Sequence, residues 1–151
     1  MISMLLRGLA AVAVLVVAGC SASAPSPATI DTTHDACRFC RMTVSDVRFA
    51  AQIVAPGDET VAFDDLGCLR AYLRGGATLR PDAAIFVADH RTREWIRADA
   101  AVFTRVAALS TPMSSHLIAH RDAASAGSDA DARGGLAVPL HDIVPAPGAP
   151  K

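Results

Sequence analysis

Three sulfur-bearing side chains fall within six residues of the stretch DACRFCRMTV (35–44): Cys37, Cys40 and Met42. Four kinds of chemistry use such a group. A redox-active Cys-x-x-Cys pair needs a strand before it and a helix starting at its first cysteine, whose dipole lowers the thiol pKa. Here the pair follows a tether-like stretch, and MTVSDVRFA after it reads as strand and turn. A structural zinc site takes Cys37 and Cys40 as a knuckle, with Cys68 and a histidine to complete it. The second closely spaced pair of a zinc ribbon is missing, however, and Met42 is left without a role. A small disulfide loop makes Met42 a core side chain, the commoner fate of a lone methionine. A soft monovalent metal engages all three sulfurs, because Cu(I) is selected by thiolate and thioether ligands. In an extended segment residues i and i+2 share a face, so Cys40 and Met42 point at one site while Cys37 folds back from the other side. STPMSSH (110–116), at the start of a strand, offers Met113 and His116 as further ligands.

The N-terminus sets the compartment. MISMLLR carries one positive residue, Arg7, and GLAAVAVLVVAG supplies about twelve apolar positions, a secretory core too short to span a bilayer. It ends in VAGC, which resembles a bacterial lipobox with Cys20 as the lipidated first residue of the mature chain. SASAPSPAT then reads as a flexible tether. These features predict an exported protein held on the periplasmic side by acyl chains, on the outer membrane rather than the inner. With Cys20 lipidated, Cys37, Cys40 and Cys68 remain, and an odd number in an oxidising compartment leans away from a purely structural disulfide set.

The positioning elements follow from hydropathy and turn signals. The chain is 52% apolar but has only five Phe, one Tyr and one Trp, so its core is aliphatic. Charges of both signs are scattered, with a formal net charge of −1, which excludes the basic stripe of a nucleic-acid surface. RFAAQIVA (48–55) and TVAFDDL (60–66) read as strands joined by a turn at PGDE (56–59). DDLGCLRAYLRGG (64–76) reads as a helix capped by Asp64 or Asp65, with Leu66, Leu69 and Leu73 on one face and Gly75-Gly76 as its stop. AAIFVADH (83–90) is a third strand. The second half repeats the pattern more weakly: strand-like segments within 93–106, a strand around 117–120, a poor helix over 123–135 ending in a second double glycine, and LAVPLHDI (136–143) as a strand. The expected fold is α+β, with tandem β-β-α-β units following the signal peptide and tether. Its parts are a signal peptide over 1–19, a lipidated terminus and tether over 20–34, one domain over 35–144 in sub-units of about 35–90 and 91–144, and a disordered proline-rich tail over 145–151. Cys68, on the first helix, reads as a buried thiol rather than a ligand. His34, His90 and His141 read as ordinary surface residues.

Taken in order, the lipobox, C-x-x-C-x-M, FDDLGC (63–68), the tryptophan strand EWIRADAAVF (94–103) and TPM (111–113) resemble the NosL family, the copper-binding lipoproteins of nitrous oxide reductase maturation. The resemblance spans roughly residues 17 to 143. It implies a metallochaperone, not an enzyme, that binds Cu(I) and passes it, with a membrane ABC-type complex, toward the copper sites of nitrous oxide reductase. It also implies a tandem β-β-α-β fold and copper ligands at Cys37, Cys40, Met42 and Met113. The chain departs from the family pattern after TPM, where Ser114, Ser115 and His116 replace small glycine-containing residues, and His116 becomes a possible added ligand. His120 stands where an apolar strand residue is usual. From the residues alone, the competing functions are an exported thiol-disulfide oxidoreductase acting through Cys37 and Cys40, and a structural zinc-binding lipoprotein.

Overall fold

The structure, a computed structural model, describes residues 24–146. The signal peptide, Cys20 and residues 147–151 of the tail lie outside the described residues. Among those described, no helix is long and apolar enough to cross a membrane.

The chain folds as two antiparallel sheets with short helices. In the first unit β1 (Ala51–Val54), β2 (Val61–Phe63), α1 (Leu66–Arg74) and β3 (Ala84–Ala88) follow one another, and in the second β5 (Val102–Arg105), β6 (Leu117–His120), α2 (Ala123–Ser128) and β7 (Leu136–Val138). Each unit puts its first strand in the middle, giving the orders β2-β1-β3 and β6-β5-β7 with every pair antiparallel. The expected α+β fold of repeated β-β-α-β units is therefore present. The double glycines occupy related places, with Gly76 at φ +93° after α1 and Gly134 at φ +76° before β7. A side chain at Gly135 would run into Thr104 and Val106 of the central strand region, so close strand approach requires glycine there.

Three local expectations are corrected. Strand β4 (Trp95–Arg97), read from sequence with the second half, pairs with β3 as the edge of the first sheet. The segment 136–143 is a strand only to Val138. Pro139, which has no N–H for a ladder, ends it and opens the one-turn helix α3 (Leu140–Ile143). The weak helix shrinks to the six residues of α2, started by Asp122 accepting from the Ser125 N–H.

The main core lies under the first sheet and joins the units. Phe63, Leu66, Leu69, Val87, Leu117 and Ile143 are fully or almost fully buried within it, and Cys37, Val44 and Cys68 belong to the same cluster. Each large aliphatic side chain removed from water there contributes about 1.5–3 kcal/mol. The units are also fastened by polar groups. Asp89, just after β3, is completely buried and accepts from Arg91 N (3.0 Å), Thr92 N (2.9 Å), Arg121 N (2.9 Å) and Ser125 Oγ (3.0 Å). The next residue donates from His90 N to Ala119 O at 2.8 Å, so the end of β3 is held against β6. His90 itself is buried, not a surface residue, because this junction covers it; His34 and His141 are exposed as expected.

Candidate metal centre

The segment that carries Cys37 and Cys40 is a small hairpin, not an extended strand. Ala36 pairs with Thr43 in an antiparallel bridge, Cys37 N–H donates to Met42 O at 2.7 Å, and Val44 N–H donates to Asp35 O at 2.9 Å. At its tip Arg41 takes φ +68° and its N–H returns to Cys37 O at 3.0 Å. This left-handed residue between Cys40 and Met42 breaks the two-residue alternation, so strand geometry does not put those side chains on a common face. The hairpin does something else: the Cys37 N–H holds the Met42 carbonyl. The hairpin is docked on β2 by Arg38 N–H to Ala62 O at 2.8 Å.

Docking brings the hairpin cysteines to the N-terminus of α1. One ligand atom from each of Cys37, Cys40, Asp64 and Cys68 lies within 4.8 Å of all the others. Cys37, Asp64 and Cys68 are buried and Cys40 is partly exposed; all three cysteines are free thiols. The Cys40 S–H donates to Asp64 Oδ1 at 3.5 Å. Burial pushes the Cys40 thiol up, with the neighbouring Cys37 and Asp64 adding to the effect against the Met42 N–H. Burial also drives Cys68 far above the usual thiol range, reinforced by Cys37 and Asp64. Cys40 and Cys68 are thus protonated without metal, and binding a cation displaces their protons.

Cys68, which the sequence reading offered as a ligand only for zinc, and Asp64, which it offered only as a helix cap, are the two cluster members outside the expected copper set. Cys68 is buried as expected, yet its burial is inside the cluster. Asp64 was a candidate helix cap, but Asp65 takes that role, accepting from Gly67 N at 2.5 Å. The available signal was the closeness of two ligand-type residues, Asp64 and Cys68, on either side of the helix N-cap at Asp65.

Asp65 also positions the distant methionine. Its completely buried carboxylate accepts from Thr111 Oγ1 (2.7 Å) and from Met113 N (3.0 Å), so the Met113 backbone is tied to the residue next to Asp64. Met113 and His116 lie in the loop before β6, not in a strand. Ser114 and His116 take φ +54° and +60°, conformations that favour glycine, which accounts physically for the small glycine-containing residues expected after TPM and makes Ser114 and His116 strained replacements. His116 Nδ1 donates to Leu109 O at 2.8 Å, which leaves Nε2 as the ring's acceptor nitrogen. Gly67 lets this loop approach α1, since a Cβ there would sit 2.7 Å from Ser115 Cβ and 2.9 Å from Asp65 Oδ1. Gly67→Ala is therefore expected to displace the Met113 loop and weaken copper binding by about 10–100-fold, the range for groups that support ligands. A chelator-competition titration, with circular dichroism to verify the fold, checks it.

The structure thus brings Cys37 and Cys40 together with Cys68 and Asp64, and ties the backbones of Met42 and Met113 to that group. Phe39, Met42 and Met113 are three of the five exposed large hydrophobic residues among those described, and Met42 and Met113 are 56% and 42% exposed. A cluster of buried and partly buried thiols suits a soft cation; a carboxylate is a poor donor to such an ion, so Asp64 acts by holding Cys40. A family model described as NosL matches residues 27–147. No curated protein and no solved structure gives a match.

Proposed function

The chain belongs to the NosL family, which makes it a copper-binding protein, and from that premise we propose that it is a lipid-anchored periplasmic Cu(I) metallochaperone. It delivers copper for assembly of the copper sites of nitrous oxide reductase, working with an ABC-type membrane complex. Cys20 carries the lipid, on the outer membrane in preference to the inner, and the tether keeps the carrier beside its membrane partner at raised effective concentration.

The observation that carries this reading is the gradient of exposure across the sulfurs. Cys37 and Cys68 are buried, Cys40 is partly exposed, and Met42 and Met113 are open to solvent. Cu(I) is satisfied by a few soft ligands at a time, so it can pass between the inner thiolates and the outer thioethers through Cys40. Uncharged thioethers at the rim let the ion leave for a partner, and His116 Nε2 is a further donor on the Met113 loop. The only bonds made or broken are metal–ligand bonds and the S–H bonds whose protons copper displaces, and the chain acts as a carrier rather than an enzyme.

The rival is a thiol-disulfide oxidoreductase. Its attacking cysteine requires an accessible thiol with a depressed pKa, usually at a helix N-terminus. Cys37 is fully buried, Cys40 is shifted upward, and the pair sits in a hairpin, all of which favour the carrier.

The test is an anaerobic Cu(I) titration against a chromophoric chelator, with Met42→Leu/Met113→Leu as the discriminating variant. The wild-type chain is expected to retain one equivalent, and the double variant to lose at least about tenfold in affinity, since leucine keeps the volume but not the sulfur. Failure to compete with the chelator removes the carrier reading; function that depends on the cysteines and ignores both methionines favours the redox rival.

A further inference from the structure

A second group of ligand-type side chains lies at the junction of the two units. His90 follows β3, His120 ends β6 and Asp129 caps the C-terminus of α2. All three are buried, His120 completely. Asp129 Oδ2 accepts from His90 Nδ1 at 2.7 Å and from His120 Nε2 at 2.9 Å. A carboxylate oxygen can only accept, so both facing nitrogens carry protons. The far nitrogens, His90 Nε2 and His120 Nδ1, are buried and have no hydrogen-bond partner. Asp129 is ionised: burial opposes its charge, but the bonds from His120, His90 and the Asp131 N–H outweigh it and hold its pKa to about 2. Two orphaned polar atoms in one buried group are rare in a finished network and mark a place where something is missing.

We propose that His90, His120 and Asp129 form a second metal site, distinct from the sulfur cluster, for an exchangeable divalent cation of borderline hardness such as Zn²⁺. One nitrogen of each imidazole and one carboxylate oxygen already lie within 4.8 Å of one another. A cation among them replaces the two hydrogen bonds that now close the trio. Two imidazoles and a carboxylate are the donors such cations take in preference to Cu(I), with a further position left for water. A cavity of about 450 Å³ lies against the site, lined by His90, Asp129 and Asp131 and also by the arginines Arg48, Arg91 and Arg93. Arg48, on the same cavity, is committed to Asp46 at 2.7 Å.

Binding requires each ring to carry its proton on the far nitrogen. Asp129 now holds both rings in the opposite tautomer, so an entering cation displaces those two hydrogen bonds while the unpartnered far nitrogens take up the protons. Equally, no acceptor waits there, and ligating histidines without such a partner bind their metal less tightly. The site is therefore suited to a cation that comes and goes. The two sites sort metals by softness: sulfur for monovalent copper, nitrogen and oxygen for a borderline divalent ion.

The experiment uses the full chain, loaded anaerobically with Cu(I) and then titrated with Co²⁺, with Zn²⁺ as competitor. One equivalent of Co²⁺ is expected, giving visible d–d bands without thiolate charge-transfer absorption, and Zn²⁺ displaces it. Asp129→Asn, close in shape, is expected to lower Co²⁺ affinity at least tenfold while leaving the Cu(I) stoichiometry unchanged. His120→Leu, with its fold verified by circular dichroism, is the second variant and is expected to abolish the Co²⁺ signal. The proposal is overturned if no Co²⁺ binds, if the bound Co²⁺ shows thiolate charge transfer, or if both variants bind it as the wild type does. The same titration on the reduced, copper-free chain separates this outcome from failure of the copper reading, since the nitrogen-oxygen spectrum does not depend on copper.

Discussion

Cys40→Ser is expected to lower Cu(I) affinity by on the order of a hundredfold or more, the largest functional effect of any single change at the site. Cys40 is the one cysteine of the cluster that is not buried, and it faces both the inner thiols and Asp64. Serine keeps the shape but offers a hard hydroxyl that Cu(I) does not select. Cys68→Ser provides the sharper comparison. If Cys68 were only a core thiol, the substitution would cost stability and leave copper affinity alone; as a member of the cluster it is expected to reduce affinity about tenfold or more. Burial and the neighbouring acids hold Cys40 and Cys68 protonated at neutral pH. Copper must therefore displace protons, and the apparent affinity is expected to rise with pH in the wild type, more shallowly once Cys40 is removed. Chelator competition at several pH values measures both effects.

The largest effect on stability is expected from Asp89→Ala, about 3 kcal/mol by urea denaturation, because four donors from both units lose their acceptor inside the protein. The acid limb tests the mechanism. Burial alone would raise the Asp89 pKa, but the bonds from Arg121, Thr92, Ser125 and Arg91 overcome it and lower the value from 3.8 to about 2. A carboxyl with a depressed folded-state pKa contributes stability above its unfolded value and loses it as pH falls through the folded one. That contribution, on the order of 2 kcal/mol, is fully present above about pH 5 and fades toward pH 2. The variant is expected to be less stable at neutral pH and to lose less on acidification, keeping only the share carried by groups such as Asp129. Equal acid sensitivity in both proteins would mean that Asp89 is not the fastening charge.

The sulfur site was partly legible in the sequence. Cys37 and Cys40 announce themselves by proximity, while Met42 and Met113, singled out by their sulfur and by the TPM motif, have only their backbones tied beside the cluster. Cys68 was hidden by its own ambiguity, since a single cysteine on an amphipathic helix is usually core, and only docking of the hairpin on β2 shows that it is core and cluster at once. The repeat was legible through strand order and double glycines. The sheet that owns Trp95–Arg97 was not, because a three-residue edge strand takes its partner from tertiary context. Pro139 could have ended the last strand on sequence alone. The His90, His120 and Asp129 group was illegible for a different reason: its members come from separate elements, 39 residues apart at the widest hydrogen bond, and no local spacing connects them.

The most direct test of the copper centre is X-ray absorption at the copper edge on the anaerobically reduced, Cu(I)-loaded chain. A monovalent edge with a first shell dominated by sulfur is the expected result, reduced in sulfur count by Cys40→Ser. A first shell dominated by nitrogen and oxygen, or one unchanged by Cys40→Ser, would contradict it.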